Sequence, residues 1–549
     1  MRAAKAWPAG LVALTLGALA LRLVGLKTGL PYVYNADENN HFVPRAIGMF
    51  GHSLNPDYFV NPPAYTYLVH GLYLVRWGTD PASIGAAFAA NPTTAFVIAR
   101  AAAAVLGAAA VTFTALAGAR LFGDRRVGIL AGALLAVAFL AVHYSHFALN
   151  DAPTLAPAAL CLVGVAGIYR HGRRRDFALA GIALGLAIAT KYTGGILVVA
   201  VVAAAVAGGR SRGLLLAGVL TVAAFLVADP YALLDAGAFH QGLTTQTSTA
   251  SEEGGKLGLQ HISGWRYYAS AGTWAFGWLP SLAALGGAIG LALRDRRLAL
   301  ILLPAPILLY LYLGHQTRFF ARWLLPVYPV LALLAAYAAV EATRRIRFGW
   351  IVAGVVLCAQ GLVFTIHNDV VLARTDTRQL ARDWLVAHVP AGTKIVVEPV
   401  FPDQWAMDVG HYNPATRSGY RWNNWPTSRV RLNPDGTPVR GPGALVKLED
   451  YEKTLQPALV DRYRTLGYCW VVTGSTQYGR AYADPRAVPR ALPYYAHLKA
   501  TADLAYKVAP YKAGAQGVPF SFDYSFNYYP LQYSRPGPEV DVYRLRNCT

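Results

Sequence analysis

The sequence predicts an α-helical polytopic membrane protein of about eleven transmembrane helices with its N-terminus in the cytoplasm, followed by a smaller α/β domain outside the membrane. Composition, a series of apolar runs and the placement of arginines carry this reading. Of 549 residues, 55% are hydrophobic and 14% charged, against about 25% charged in a soluble protein. Four cysteines cannot staple a chain of this length. The net charge of +20 would suggest a nucleic-acid partner in a soluble protein. Here the basic residues follow membrane topology instead, so no nucleic acid is expected.

A crossing takes about 20 apolar residues. Such runs lie at 7–26, 96–118, 127–147, 152–169, 177–190, 192–209, 213–230, 271–292, 298–314, 324–342 and 349–366. The links after alternate runs hold arginine clusters: Arg120, Arg125 and Arg126; Arg170 and Arg173 to Arg175; Arg210 and Arg212; Arg294, Arg296 and Arg297; Arg344, Arg345 and Arg347. The opposite segments are poorer, with Lys27, Arg45, Arg76, Lys191, Lys256, Arg266, Arg318 and Arg322. An excess of Lys and Arg in short loops marks the cytoplasm, so everything after residue 366 lies outside.

The first run lacks a small-x-small cleavage site and reads as an uncleaved signal-anchor. Residues 64–77, entered through Pro62 and Pro63, read as an interfacial or re-entrant helix. The stretch 177–209 begins and ends at cytoplasmic arginines, so it is a hairpin turning near Lys191. Its short first arm places that ammonium below the outer surface, where it needs a partner or water.

Beyond the membrane domain (1–366, with a first outer loop at 27–95), residues 367–549 form the soluble domain. Asp376 is the expected N-cap of an amphipathic helix, TRQLARDWLVAHV, followed by a strand, KIVVEPV. A second helix-to-strand pair is QPALVDRYRTLG to YCWVVTG, and VDVYRL closes the domain. The stretches 402–447 and 509–538 read as surface loops. Cys161 and Cys358 fall inside spans, whereas Cys469 and Cys548 lie outside, where a disulfide can form.

Polar residues at a membrane edge are costly, which makes them candidates for chemistry. Asp37 and Glu38 are adjacent acids in YNADENNHFVPRA, and their mutual repulsion favours a usable base. Asp151, in HYSHFALNDAPTL, either faces the same outer cavity or caps the next helix. His143 and His146, at i and i+3, are weak metal candidates together with Asp151 or the first-loop acids. Arg100, Lys191, Arg318 and Arg322 are the outer cations. Arg100 lies about a turn inside its span and needs an internal acid or a ligand phosphate. The set suits a reaction on a lipid-linked phosphate, in which cations stabilise the leaving group and a carboxylate deprotonates an acceptor hydroxyl. No Gly-x-Gly-x-x-Gly or Walker-type loop is present.

The order of Asp37-Glu38, Asn61-Pro62-Pro63-Ala64-Tyr65, Arg100, Asp151, Lys191 in LAIATKYTGG and Arg322-Trp323-Leu324-Leu325-Pro326 resembles the C-type (GT-C) membrane glycosyltransferases. The similarity is to the protein-mannosyltransferase and aminoarabinose-transferase branch (glycosyltransferase family 39-like). The segments ARDWLVAHVPAGTKIVV and RPGPEVDVYRL are similar to outer domains of bacterial members. The resemblance implies a GT-C fold in the bacterial plasma (inner) membrane and inverting transfer of a sugar from a polyprenyl-phosphate donor. It makes Asp37 the general base, with Glu38 positioning the acceptor. Arg100 organises the site, Lys191, Arg318 and Arg322 face the donor phosphate, and Asp151 is a second acidic position. No cofactor is required, because arginine and lysine neutralise a monophosphate leaving group and a divalent metal is not predicted. The implied partners are the polyprenyl-phosphate-linked sugar, membrane lipids and a glycan, lipid or protein acceptor. No WWDYG-like element is found in the outer domain, which argues against transfer of whole glycans to asparagine. The alternative class is a transporter or flippase of lipid-linked sugar, for which charges near mid-membrane and related halves would be expected.

Overall fold

The computed structural model describes residues 2–251, 257–259, 262–408, 419–425, 433, 437, 439–441, 444–523 and 528–549. Lys256 and much of 402–447 lie outside the described residues. Five helices are long and apolar enough to cross a membrane: Thr93–Phe122, Ser211–Ala228, Gly264–Arg294, Ala321–Ala342 and Gly349–His388. The pair Arg296–Leu302 and Pro304–Gly314, bent by 41°, makes a sixth if it is one span. Trp7–Leu23, Leu155–Arg170 and Tyr192–Ala207 are shorter apolar helices. Each of the eleven apolar runs carries helix, in several cases broken.

The breaks have physical causes. Run 127–147 divides into Arg125–Val137 and Phe139–Tyr144 because Ala138 is extended. The carbonyls of Leu135 and Ala136, at that break, accept hydrogen bonds from the fully buried Arg22 guanidinium at 3.2 and 3.1 Å. An intramembrane arginine thus satisfies backbone oxygens that no water can reach. The 177–209 hairpin turns at Lys191, which is extended between Arg174–Thr190 and the short Tyr192–Leu197 helix. Helix Ala64–Trp77 lies against Thr93–Phe122, with the Tyr65 and Tyr73 hydroxyls donating to the Ala99 and Ala95 carbonyls.

Small residues let neighbouring helices approach closely. A Cβ on Gly164 would stand 2.6 Å from the Ala180 nitrogen, and one on Gly181 would stand 2.4 Å from the Ala217 oxygen. This packing of Leu155–Arg170, Arg174–Thr190 and Leu214–Ala228 sets the turns bearing Asp151 and Lys191 side by side.

The C-terminal part is a five-stranded mixed sheet in the order β2-β1-β3-β5-β4, with β1 Lys394–Val397, β2 Asn423–Asn424, β3 Trp470–Gly474, β4 Ala502–Val508 and β5 Val540–Leu545. β1 pairs in parallel with β2 and β3, while β5 runs antiparallel to β3 and β4, with Val472 opposite Val542. Helix Thr377–His388 is N-capped by Asp376, which accepts from the Arg378 amide. The three expected strands are all present. β4 escapes the sequence pattern because, as an edge strand, it is largely exposed. Cys469 and Cys548 form a disulfide across 79 residues, which in a chain-entropy account contributes about 4 kcal/mol.

The segment expected as a surface loop at 509–538 does not stay on the surface. Phe522 is buried in the core of the helical part, and the Tyr267 hydroxyl donates to Asp523 at 2.7 Å. The Tyr528 ring packs on Phe139, Trp274 and Phe364. In the described part of 402–447, Trp405 and Trp422 are fully buried. A Pro- and Tyr-rich composition reads as loop, yet these aromatic rings fill the junction between the two parts. The first loop reciprocates, since Tyr32 joins the core beside the sheet and its ring lies 4.8 Å from the Arg382 guanidinium.

Candidate functional site

A cavity of about 570 Å³ lies between the helical part and the sheet, lined by both. Its floor is built from three separated turns. The Asn35 side chain accepts from the amides of Asp37 and Glu38, which fixes the first-loop turn before the helical stretch 38–48. Asn150 donates to the Thr190 carbonyl at 2.8 Å and ties the Asp151 turn to the Lys191 turn. The third piece, extended at Phe320, is held by the Tyr268 and Tyr267 hydroxyls, which accept from the amides of Phe320 and Ala321. Because Tyr267 also donates to Asp523, the C-terminal part supports the segment that carries Arg322.

On this floor Arg322 Nη2 donates to Asp37 Oδ2 at 2.7 Å, and Nη1 donates to the Tyr144 hydroxyl at 3.1 Å. Its Nε stands 3.6 Å from Asp151 Oδ2, and its guanidinium lies 4.1 Å from the Phe320 ring centroid. Lys191 Nζ is ion-paired with Asp151 Oδ1. Asp151 therefore does not cap the following helix, whose N-cap is Thr154. Arg318 lines the same cavity and meets Glu449 of the C-terminal part through two hydrogen bonds at 2.9 and 3.0 Å.

Two expected site residues lie elsewhere. Glu38 is fully buried and takes Arg100 Nε and Nη2 at 2.6 and 2.7 Å, together with the Ala148 amide at 2.8 Å. Arg100 spends its remaining donors on the carbonyls of Leu26 and Thr28. Neither residue lines the cavity. The acid that Arg100 requires is Glu38, and the pair stands apart from the cavity where an acceptor-positioning Glu38 is expected. The pair clamps the first loop to its span and to the 148 turn.

The histidines also differ from expectation. His143 Nδ1 bonds Asn368 Oδ1 at 2.8 Å, and His146 Nε2 is 3.3 Å from Asp369 Oδ1. They face helix Gly349–Leu372 and not Asp151 or the first-loop acids. Among the described residues, no three His, Cys, Asp or Glu side chains group in a way that would hold a metal ion.

The cavity also contains residues that the sequence reading did not single out. His41 stacks on Tyr58 at 4.6 Å between centroids, and burial holds its pKa below the ordinary value, so it is neutral near pH 7. Arg378, paired with Asp376, lies 3.9 Å from the Tyr34 ring centroid. Ser475, Gln477 and Tyr478, at the start of the helix after β3, form part of the roof with Tyr511 and Tyr533. His41 lies in the YNADENNHFVPRA motif beside Asp37, and Tyr144, which meets Arg322, lies in HYSHFALNDAPTL.

Residues 62–208 match the sequence profile of the dolichyl-phosphate-mannose-protein mannosyltransferase family. No curated protein sequence matches the chain. Among solved structures, the chain is similar to ArnT from Cupriavidus metallidurans bound to undecaprenyl phosphate, at 14% identity and a TM-score of 0.50, covering 87% of this chain and 95% of that one. It is similar also to the Archaeoglobus fulgidus oligosaccharyltransferase complex with zinc and sulfate, at 14% identity and a TM-score of 0.53, covering 91% and 72%. A further match is AglB from the same organism with an inhibitory peptide and a dolichol-phosphate, at 13% identity and a TM-score of 0.51, covering 96% and 77%. The chain has the fold of the GT-C membrane glycosyltransferases, the class to which its sequence motifs are similar.

Proposed function

We propose that this protein is an integral-membrane glycosyltransferase that moves a monosaccharide from a polyprenyl-phosphate donor to an acceptor hydroxyl on the outer face of a bacterial plasma membrane. In this reading the chain crosses the bilayer eleven times, with the N-terminus and arginine clusters inside. Residues 1–366 then form the transferase domain and 367–549 the extracytoplasmic domain. The Cys469–Cys548 disulfide suits an oxidising compartment on that side.

The observation that carries the proposal is the cavity floor, where the carboxylate of Asp37 meets Arg322 and the ion-paired Lys191 and Asp151 line the same cavity. Asp37 takes the proton of the acceptor hydroxyl as its oxygen attacks the anomeric carbon. The bond from that carbon to the phosphate oxygen breaks, and its electron pair leaves with polyprenyl phosphate. Attack opposite the leaving group inverts the anomeric centre. Arg322 and Lys191, with Arg318 at the cavity edge, stabilise the charge that develops on the phosphate. These cations perform the neutralisation for which a divalent ion is otherwise used. A hexose or pentose donor fits this chemistry equally.

The test uses purified protein in lipid nanodiscs, a panel of radiolabelled polyprenyl-phosphate monosaccharides and cell-envelope extract as acceptor. Release of polyprenyl phosphate with one sugar, lost in Asp37→Asn, is the expected result. Absence of release with every donor sinks the transferase reading, and wild-type release by Asp37→Asn sinks the assignment of the base.

A further inference from the structure

The roof of the cavity is formed by the end of the sheet at which α/β folds take their ligands. A ligand there lies beyond the carboxyl ends of parallel strands, at the point where the chain leaves one strand to opposite sides. β1 and β3 are parallel neighbours, and the chain runs from β1 to β2 on one side before it returns to β3 on the other. Pro399 and Val400, just past β1, and Ser475 to Arg480, just past β3, all line the cavity. The C-terminal part thus turns its ligand-binding end towards Asp37 and Arg322, which line the same space.

Polar groups at this end are left over after the protein's own hydrogen bonds are made. Ser475 exchanges two bonds with Glu539: its amide donates to the carbonyl at 2.9 Å, and its hydroxyl oxygen accepts from the amide at 3.0 Å. The Ser475 hydroxyl proton then has no acceptor among the described residues. The amides of Thr476 and Gln477, in the first turn of helix Ser475–Ala483, have none either. Gln477 is 4% exposed, and its Oε1 has no donor among the described residues. An occupant has therefore both to donate and to accept. A phosphate or carboxylate suits the amides but opposes Oε1, whereas a sugar hydroxyl serves both.

Three tyrosines complete the wall. Tyr511 and Tyr533 meet in a short antiparallel bridge with their rings edge to face at 5.6 Å, and the Tyr478 hydroxyl donates to Glu539 at 2.8 Å. All three line the cavity. Such rings join a flat apolar face to a polar tip, which suits a sugar with its C–H face and its hydroxyls. An extended peptide would instead add to a strand edge. The edge strands are β2 and β4, and among the described residues neither lines the cavity.

We propose that the acceptor is a glycan whose terminal sugar binds this roof, between the first turn of helix Ser475–Ala483 and the rings of Tyr478 and Tyr511, with a hydroxyl turned to the floor. The inference rests on the glycosyltransferase reading above and names its acceptor class.

The experiment offers full-length protein in nanodiscs the radiolabelled donor panel with one of three acceptors: envelope polysaccharide freed of lipid and protein, envelope protein, or phosphatidylglycerol vesicles. Label is expected in the polysaccharide. Tyr511→Ala should raise the KM for polysaccharide about tenfold, the worth of one stacked ring lost to alanine, with kcat falling less, and Tyr511→Phe should restore it. Farnesyl phosphate, which carries no sugar, should bind wild type and Tyr511→Ala alike by calorimetry, because the donor phosphate belongs to the floor. Label in protein or in phosphatidylglycerol alone overturns the glycan acceptor. A labelled polysaccharide with a wild-type KM in Tyr511→Ala overturns the roof site. If Tyr511→Ala loses farnesyl phosphate as well, the cavity has collapsed, and Gln477→Ala decides by the same KM reading. Donor left intact with every acceptor overturns the transferase reading itself, a failure distinct from the others.

Discussion

Asp37 and Glu38 are neighbours in sequence and each bonds an arginine, yet they inhabit opposite surroundings. Glu38 is sealed beneath the first loop, where Arg100 and the Ala148 amide saturate it. Asp37 lines the cavity, its side chain 43% exposed, and accepts from Arg322 at 2.7 Å. One residue of register separates an ion pair that fixes the architecture from one available for chemistry. What separates them is access to water, since both pairs have short, charge-assisted geometry.

The largest expected effect breaks that comparison in the buried pair. Glu38→Gln leaves the Arg100 guanidinium uncompensated in a dry site, at a cost of about 3–5 kcal/mol. A clear fall in melting temperature and in folded yield is expected. Asp37→Asn should melt within about 1 kcal/mol of wild type, because its partly exposed pair is discounted by solvent. A Glu38→Gln protein that melts normally and loses only turnover would return Glu38 to the chemistry.

The sequence separates these cases only in part. Lys191, Asp151 and Arg322 could be placed together because apolar-run length and topology bring their turns to one end of the helices. For Glu38, adjacency to Asp37 suggests two acids repelling each other, whereas the 38–42 turn directs the second acid inward to Arg100. Arg22 lay unnoticed within an apolar run, and its role depends on a break at Ala138 that no local pattern announces. Phe522 and Tyr528 are harder still. The ring of Tyr528 acquires meaning only against Phe139 and Trp274, several hundred residues away.

A third acid sharpens the comparison. Glu398, at the end of β1, is as buried as Glu38 but has no basic partner among the described residues; the Tyr495 hydroxyl and Gly474 amide donate to it. Burial pushes its pKa up to about 8, and that of nearby Glu452 is pushed up to about 7 for the same reason. A fully buried acid without a cation, as Glu398 is among the described residues, keeps its proton near neutral pH. The folded state then binds more protons than the unfolded chain, whose carboxyls titrate near 4.5, so stability falls as pH rises from about 4.5 to 8. Denaturant unfolding followed through the tryptophans near the sheet should show a decline of a few kcal/mol across that window. Glu398→Gln should flatten it, and an equally steep decline in the variant would place the titration elsewhere.

The smallest expected effect tests how Arg322 is held. Tyr144 accepts from Nη1 and lies fully buried beneath the guanidinium. Tyr144→Phe keeps the ring and removes one hydrogen bond to a charged group, a loss of about 1.5–3 kcal/mol if nothing relaxes. If Tyr144 only packs, melting temperature and KM stay with the wild type. If it aims the guanidinium, the donor KM rises about tenfold at an unchanged melting temperature, and kcat falls less than KM rises. The split distinguishes the two because a misaimed arginine binds the donor phosphate poorly in the ground state as well as in the transition state, whereas a loosened core would lower stability first.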